Sequence, residues 1–129
     1  MADGLITLPS KGDLPQTIAR FEAVVRARGL HVFSKFDHAE NAREAGLTLR
    51  PTTVVWFGDA KLGTKLMAAH PTIAIDLPHR LLVYTDDAGQ TWLAYNDPAW
   101  LAHRHGVAVD AGITATSAGL AAIAREAAG

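Results

Sequence analysis

Leu81-Leu82-Val83-Tyr84-Thr85-Asp86-Asp87-Ala88-Gly89-Gln90-Thr91-Trp92-Leu93-Ala94-Tyr95 is the stretch on which the fold turns. Two runs of leucine, β-branched and aromatic residues flank Asp86-Asp87-Ala88-Gly89, whose short acidic side chains and permissive glycine make a tight connection. Strands joined so closely pair antiparallel. The period of two puts Trp92 and Ala94 on one face of the second strand and Leu93 and Tyr95 on the other, so an aromatic ring lies away from the main core. Such a face is a pocket wall or a subunit contact.

Before this hairpin, Ile73 and Ile75 read as further sheet residues. Thr53-Val54-Val55-Trp56-Phe57 reads as a buried strand ended by Gly58, and Leu47-Thr48-Leu49-Arg50 as a second extended segment set off by Pro51. Between the Thr53–Phe57 strand and Ile73, Asp59 caps a helix through about His70, with Leu62, Leu66 and Ala69 on one face and Pro71 as its stop. Nearer the start, Leu5-Ile6-Thr7-Leu8 is a short strand closed by Pro9. Asp13, Pro15 and Gln16 then open the best-signalled helix, in which Leu14, Ile18, Phe21 and Val25 recur at helical spacing up to Gly29. Leu30 to Phe36 is the next strand, and Asp37 with Glu40 forms a capping box for a short helix ending near Gly46. After the hairpin, Pro98 to His105 is a helix with proline at its first position. The alanine-rich end is another, with Ser117 as its cap before Leu120, Ile123 and Ala124. Strands clustered in mid-sequence without regular βαβ alternation give an α+β class, a sheet covered by helices on one face. Without repeats or linkers, residues 1–129 are read as one domain.

The composition sets limits on function. In 129 residues, 49% are hydrophobic and 19% charged, which builds one ordinary core and excludes a disordered segment. The 12 Lys+Arg against 13 Asp+Glu leave no surplus positive charge for a phosphate backbone, so nucleic acid is not an expected partner. No cysteine is present, which removes disulfides, thiolate nucleophiles and Cys-ligated metal. Met1-Ala2-Asp3-Gly4 has neither a basic nor an apolar leader region, and no run approaches the ~18 apolar residues of a membrane span, so the expected location is the cytoplasm, without a membrane.

Gly58-Asp59-Ala60-Lys61-Leu62-Gly63-Thr64-Lys65 stands where a phosphate loop would, between strand and helix, but Thr64 precedes Lys65. The nucleotide mechanism needs the opposite order, with lysine on the phosphates and the following hydroxyl on magnesium. What remains is a pair of lysines one turn apart beside helix N-terminal amides, a setting that attracts small anions except that Asp59 already occupies the amides. The six histidines lack metal spacing: His103 and His105, two apart, diverge on a helix, and His31, His38, His70 and His79 are isolated. No metal or cofactor is therefore expected. Ser10, Ser34 and Ser117 read as loop, strand and cap residues outside any nucleophile elbow. Asp76, Asp86, Asp87 and Asp97 include turn formers, and a carboxylate pair among them would have to meet in space. Asp76-Leu77-Pro78 and Asn96-Asp97-Pro98 share a design, a fixed proline φ beside a short polar side chain. It either ends an element or presents a rigid polar group.

Together Val54-Val55-Trp56-Phe57-Gly58, Gly63-Thr64, Met67, Pro71, Ala74, Asp76-Leu77-Pro78, Gly89, Trp92 and Tyr95-Asn96-Asp97-Pro98 resemble the domain of unknown function 302 family. The family's usual Asn-Pro after the glycine is Asp59-Ala60 here. The resemblance implies a β-α-β(4)-α fold, a curved antiparallel sheet packed by helices, and a tendency to dimerise; it implies no activity. The leading functional expectation is a homodimeric module binding a small polar or anionic ligand through Lys61, Thr64, Asp76, Asn96 and Asp97. The alternatives are a cofactor-free enzyme with Asp76 or Asp97 as general base and a histidine or Lys61 as electrophilic partner, and a purely structural interaction domain.

Overall fold

Asp13 opens the first helix as its sequence requires: its carboxylate accepts from the Gln16 amide at 2.9 Å while the Gln16 side chain accepts from the Asp13 amide at 3.1 Å. In this computed structural model, which describes residues 3–129, that helix, α1 (Leu14–Ala27), follows strand β1 (Leu5–Pro9) and precedes β2 (His31–Asp37). Met1 and Ala2, part of the opening read for a leader, lie outside the described residues. The chain continues through α2 (His38–Glu44), β3 (Thr52–Gly58), α3 (Ala60–Ala69), a 3-10 turn (Pro71–Asp76), β4 (His79–Thr85), β5 (Thr91–Asn96), α4 (Pro98–Arg104) and α5 (Ala111–Ala128).

The five strands form one sheet in the order β1-β5-β4-β3-β2, antiparallel throughout, so β1 and β2 are opposite edges. α1 must carry the chain from one edge to the other. Its fourteen residues rise roughly 21 Å, and four strand spacings come to roughly 19 Å, so a single helix of this length crosses the sheet. Its apolar stripe of Ile18, Phe21 and Val25 packs onto Val55, Phe57, Leu81, Val83, Leu93 and Tyr95, all on one side of the sheet. Phe21 meets Phe57 edge to face, centroids 4.8 Å apart and planes at 87°. α5 lies against α1 and completes the same layer with Leu120, Ile123 and a run of small alanines. The α+β class and the one-sided cover are as the sequence predicts.

Three local expectations are corrected. Ile73 and Ile75 are not strand residues but belong to the 3-10 turn, which Pro71 starts. Residues two apart on a three-residue turn point in different directions, and accordingly Ile73 is 2% exposed and Ile75 68%. Leu47 to Arg50 has no strand partner among the described residues; Leu47 and Leu49 are exposed, and the Leu47 amide folds back onto the Ala42 carbonyl. Finally, α5 is capped by Asp110, whose carboxylate accepts from the Ile113 amide at 2.9 Å, and not by Ser117, which lies in mid-helix. Gly112, Thr114 and Thr116 disguise its first two turns, because they have weak intrinsic helix propensity.

At the end of the core layer, His79 opens β4 opposite Phe57, their rings 6.0 Å apart, and burial lowers its pKa. The folded chain therefore favours neutral imidazole, and unfolding takes up a proton in the pH window between the lowered folded value and the ordinary histidine value of about 6.5. Stability should fall as pH drops from about 7 towards 5, and His79→Gln should flatten that slope in urea titrations at several pH values.

Candidate functional site

The 3-10 turn and the end of α4 bring together side chains far apart in sequence. The Asp76 carboxylate, nearly buried, accepts from Arg104 Nη1 at 3.0 and 2.8 Å and lies 2.5 Å from His105 Nε2. The other imidazole nitrogen, Nδ1, lies 2.9 Å from the hydroxyl of Thr72, which is exposed. The local causes are clear. Pro71 sets the turn that carries Thr72 and Asp76, and α4 ends at Arg104 so that His105, its C-terminal cap, turns back to meet both. A carboxylate removed from water needs charged or strongly hydrogen-bonding partners, and here it has two. Sequence reasoning singled out Asp76 but missed Thr72, Arg104 and His105. The spacing argument against His103 and His105 sharing an ion is sound, yet it is silent on a histidine just past a helix end. The available signal was the imidazole immediately before Gly106, a helix-terminating position.

The remaining sequence-selected residues lie in two other settings. Lys61 and Thr64 are exposed on α3 and line a shallow hollow with Ala60 and Lys65, while the Lys61 amide donates to Asp59, the helix cap, at 2.9 Å. Asn96 ends β5 opposite Leu5. Asp97 caps α4 by accepting from the Ala99 amide at 3.0 Å, and the same oxygen accepts from the Ser117 hydroxyl at 3.1 Å. That bond ties α4 to α5. The hydrogen bonds thus divide the five residues into separate groups: Asp76 with Arg104 and His105, Asp97 with α5, and Lys61 with its own helix cap.

The largest feature is the side of the sheet away from α1 and α5. Strand register brings Phe36, Val54, Leu82, Ala94 and Thr7 into one row across it, and Tyr84 beside Trp92 into the next. Trp56, between Ser34 and Arg80, belongs to the same face. Of these, only Ala94 is buried; Phe36 is 45% exposed and the tryptophans are half-buried. Arg80 is drawn aside by a 2.8 Å bond to the Ile75 carbonyl, and the Trp92 indole donates to Asp86 at 2.8 Å, which holds that carboxyl below its ordinary range.

The family described as "Domain of unknown function DUF302" matches residues 6–126. The chain belongs to the DUF302 family. A crystal structure of an uncharacterized conserved DUF302 protein from Bacillus stearothermophilus superimposes with a TM-score of 0.84 at 21% identity, covering 98% of this chain and 99% of that one. The fold is therefore the DUF302 fold. Among curated proteins, the chain is 43% identical over 128 residues to "Fluoride-specific ion channel FluC 1" of Brucella suis biovar 1 (strain 1330), covering 98% of this chain and 50% of that protein. "Fluoride-specific ion channel FluC 2" of Brucella melitensis biotype 1 matches at the same 43% identity, with 98% and 47% covered. The chain spans about half the length of the curated relatives it matches. Among its described residues, no helix is long and apolar enough to cross a membrane.

In this DUF302 domain Asp97 serves two elements at once, and its removal is readily measured. Asp97→Ala should cost about 1–2 kcal/mol in chemical denaturation, since it deletes a helix cap and a link to α5. Ser117→Ala, which leaves the cap in place, should cost about 1 kcal/mol or less.

Proposed function

We propose that this domain is a homodimeric binding module in which two copies meet through the uncovered sheet face. The observation that carries the reading is the row structure of that face: Phe36, Val54, Trp56, Leu82, Tyr84 and Trp92 converge on the side of the sheet away from α1 and α5. Isolated apolar residues on a surface are ordinary, but contiguous patches rich in aromatic rings mark contacts. Five strands of about six residues span roughly 500 Å² in plan, before side-chain relief and the rim are counted. A stable interface takes about 800 Å² from each partner, so the sheet face forms the centre of the contact and its edges the rim. A second copy fits because a two-fold contact sets the same patch against itself, so one apolar face suffices for both sides. Its dimer is assigned to the cytoplasm, a compartment that suits a chain without cysteine.

The ligand reading rests on Lys61 and Thr64. They share an open hollow with Lys65, and the matched relatives carry names that refer to fluoride, a small anion. Asp76, Asn96 and Asp97 have a lesser part in it, since the Asp76 oxygens already bond Arg104 and His105, and Asp97 Oδ1 bonds Ala99 and Ser117. For the same reason neither aspartate is placed to act as a free general base.

Sedimentation equilibrium at micromolar concentration should show a dimer, and Trp56→Glu, which sets like charges against each other across the two-fold, should give a folded monomer. A wild type that is monomeric at every accessible concentration sinks the dimer. For the anion, fluoride, phosphate or sulfate should raise the thermal midpoint of the wild type. Lys61→Ala should abolish that rise while changing ligand-free stability by less than about 0.5 kcal/mol. If no anion shifts the wild type, the hollow is only a solvated basic face.

A further inference from the structure

Thr72, His105 and Asp76 are joined in a line, and the direction of the two hydrogen bonds can be worked out. Asp76 faces Arg104 on both of its oxygens, so it stands as a carboxylate and can only accept. The 2.5 Å contact to His105 therefore carries the imidazole proton on Nε2. A neutral imidazole has one N–H, which leaves Nδ1 as an acceptor, and the Thr72 hydroxyl 2.9 Å away donates to it. This is the polarity of an activated hydroxyl: a nucleophile hydrogen-bonded to a base, the base oriented by a buried acid. Exposure grades along the line in the sense such a device needs. The side chains of Asp76 and His105 are 9% and 7% exposed, whereas Thr72 is at the surface where a reactant can reach it.

We propose that Thr72 is a nucleophilic hydroxyl activated by His105, with Asp76 as the positioning residue, and that it takes an acyl group from an activated ester. In the forward step Thr72 Oγ1 attacks the ester carbonyl carbon and its proton passes to His105 Nδ1. The tetrahedral centre collapses as the bond to the leaving oxygen breaks, and that oxygen receives the proton from Nδ1. The products are an O-acyl threonine and a free alcohol or phenol. No oxidant, metal or cofactor takes part. Arg104 Nη1 is committed to Asp76, and the reaction is expected to stop at slow single-turnover acylation.

The experiment is incubation of the full chain with p-nitrophenyl acetate, followed by peptide mass mapping of the acetylated residue and circular dichroism of each variant. One acetyl group should appear on Thr72 of the wild type, persist in Thr72→Ser and vanish in Thr72→Val. In His105→Gln its rate should drop about a hundredfold, the usual scale for losing a general base. Should His105→Gln fail to fold, the wild-type profile decides: labelling at Thr72 should level off at high pH and not keep climbing with hydroxide. The proposal is overturned if Thr72 stays unmodified in the wild type, if folded His105→Gln is labelled at the wild-type rate, or if the rate keeps climbing with hydroxide. Any of these would leave the cluster as a clamp between the 3-10 turn and α4.

Discussion

The packing of α1 across one face of the sheet is the constraint from which the rest of the structure follows. β1 and β2 occupy opposite edges, so the helix between them must traverse the sheet, and its stripe of Ile18, Phe21 and Val25 buries the inner residues of the central strands. α5 then has space only beside α1, and its alanines let it approach closely. Once both helices lie on that side, the opposite side retains its side chains in rows away from both of them. The apolar outer face is thus a consequence of topology, and the question of function becomes the question of what covers it.

Much of this architecture is legible in the sequence, because the decisive signals are local. The Asp13–Gln16 capping box, the period of Ile18, Phe21 and Val25, and the hairpin around Gly89 each specify an element within a few residues, and each is present. Failures occurred where a local pattern had two physical readings. Ile73 and Ile75 alternate like strand residues, but Pro71 opens a 3-10 turn there and only one isoleucine turns inward. Ser117 looks like a cap because short hydroxyl side chains favour that role, whereas the tertiary structure uses it to reach Asp97 from mid-helix.

The polar cluster was only partly legible. Asp76 stands out beside a proline, yet its partners lie nearly thirty residues away, on the far side of the β4–β5 hairpin, and no spacing rule links them. A buried carboxylate announces a need for partners without naming them. Thr72 was hidden further still, since an exposed threonine after a proline reads as turn punctuation until the imidazole is seen beside it. The cluster and the sheet face are physically separate kinds of feature: one is a directed chain of hydrogen bonds, the other an area.

The one-sided sheet is the centre of this account, and the most direct measurement of it is an intermolecular NOE spectrum on a mixture of isotope-labelled and unlabelled protein. Cross-peaks between copies should arise from the rings of Phe36, Trp56, Tyr84 and Trp92 and from the methyl groups of Val54 and Leu82. Their absence at millimolar concentration, or intermolecular cross-peaks confined to α3 or the helical side, would contradict the claim that a second copy covers the sheet.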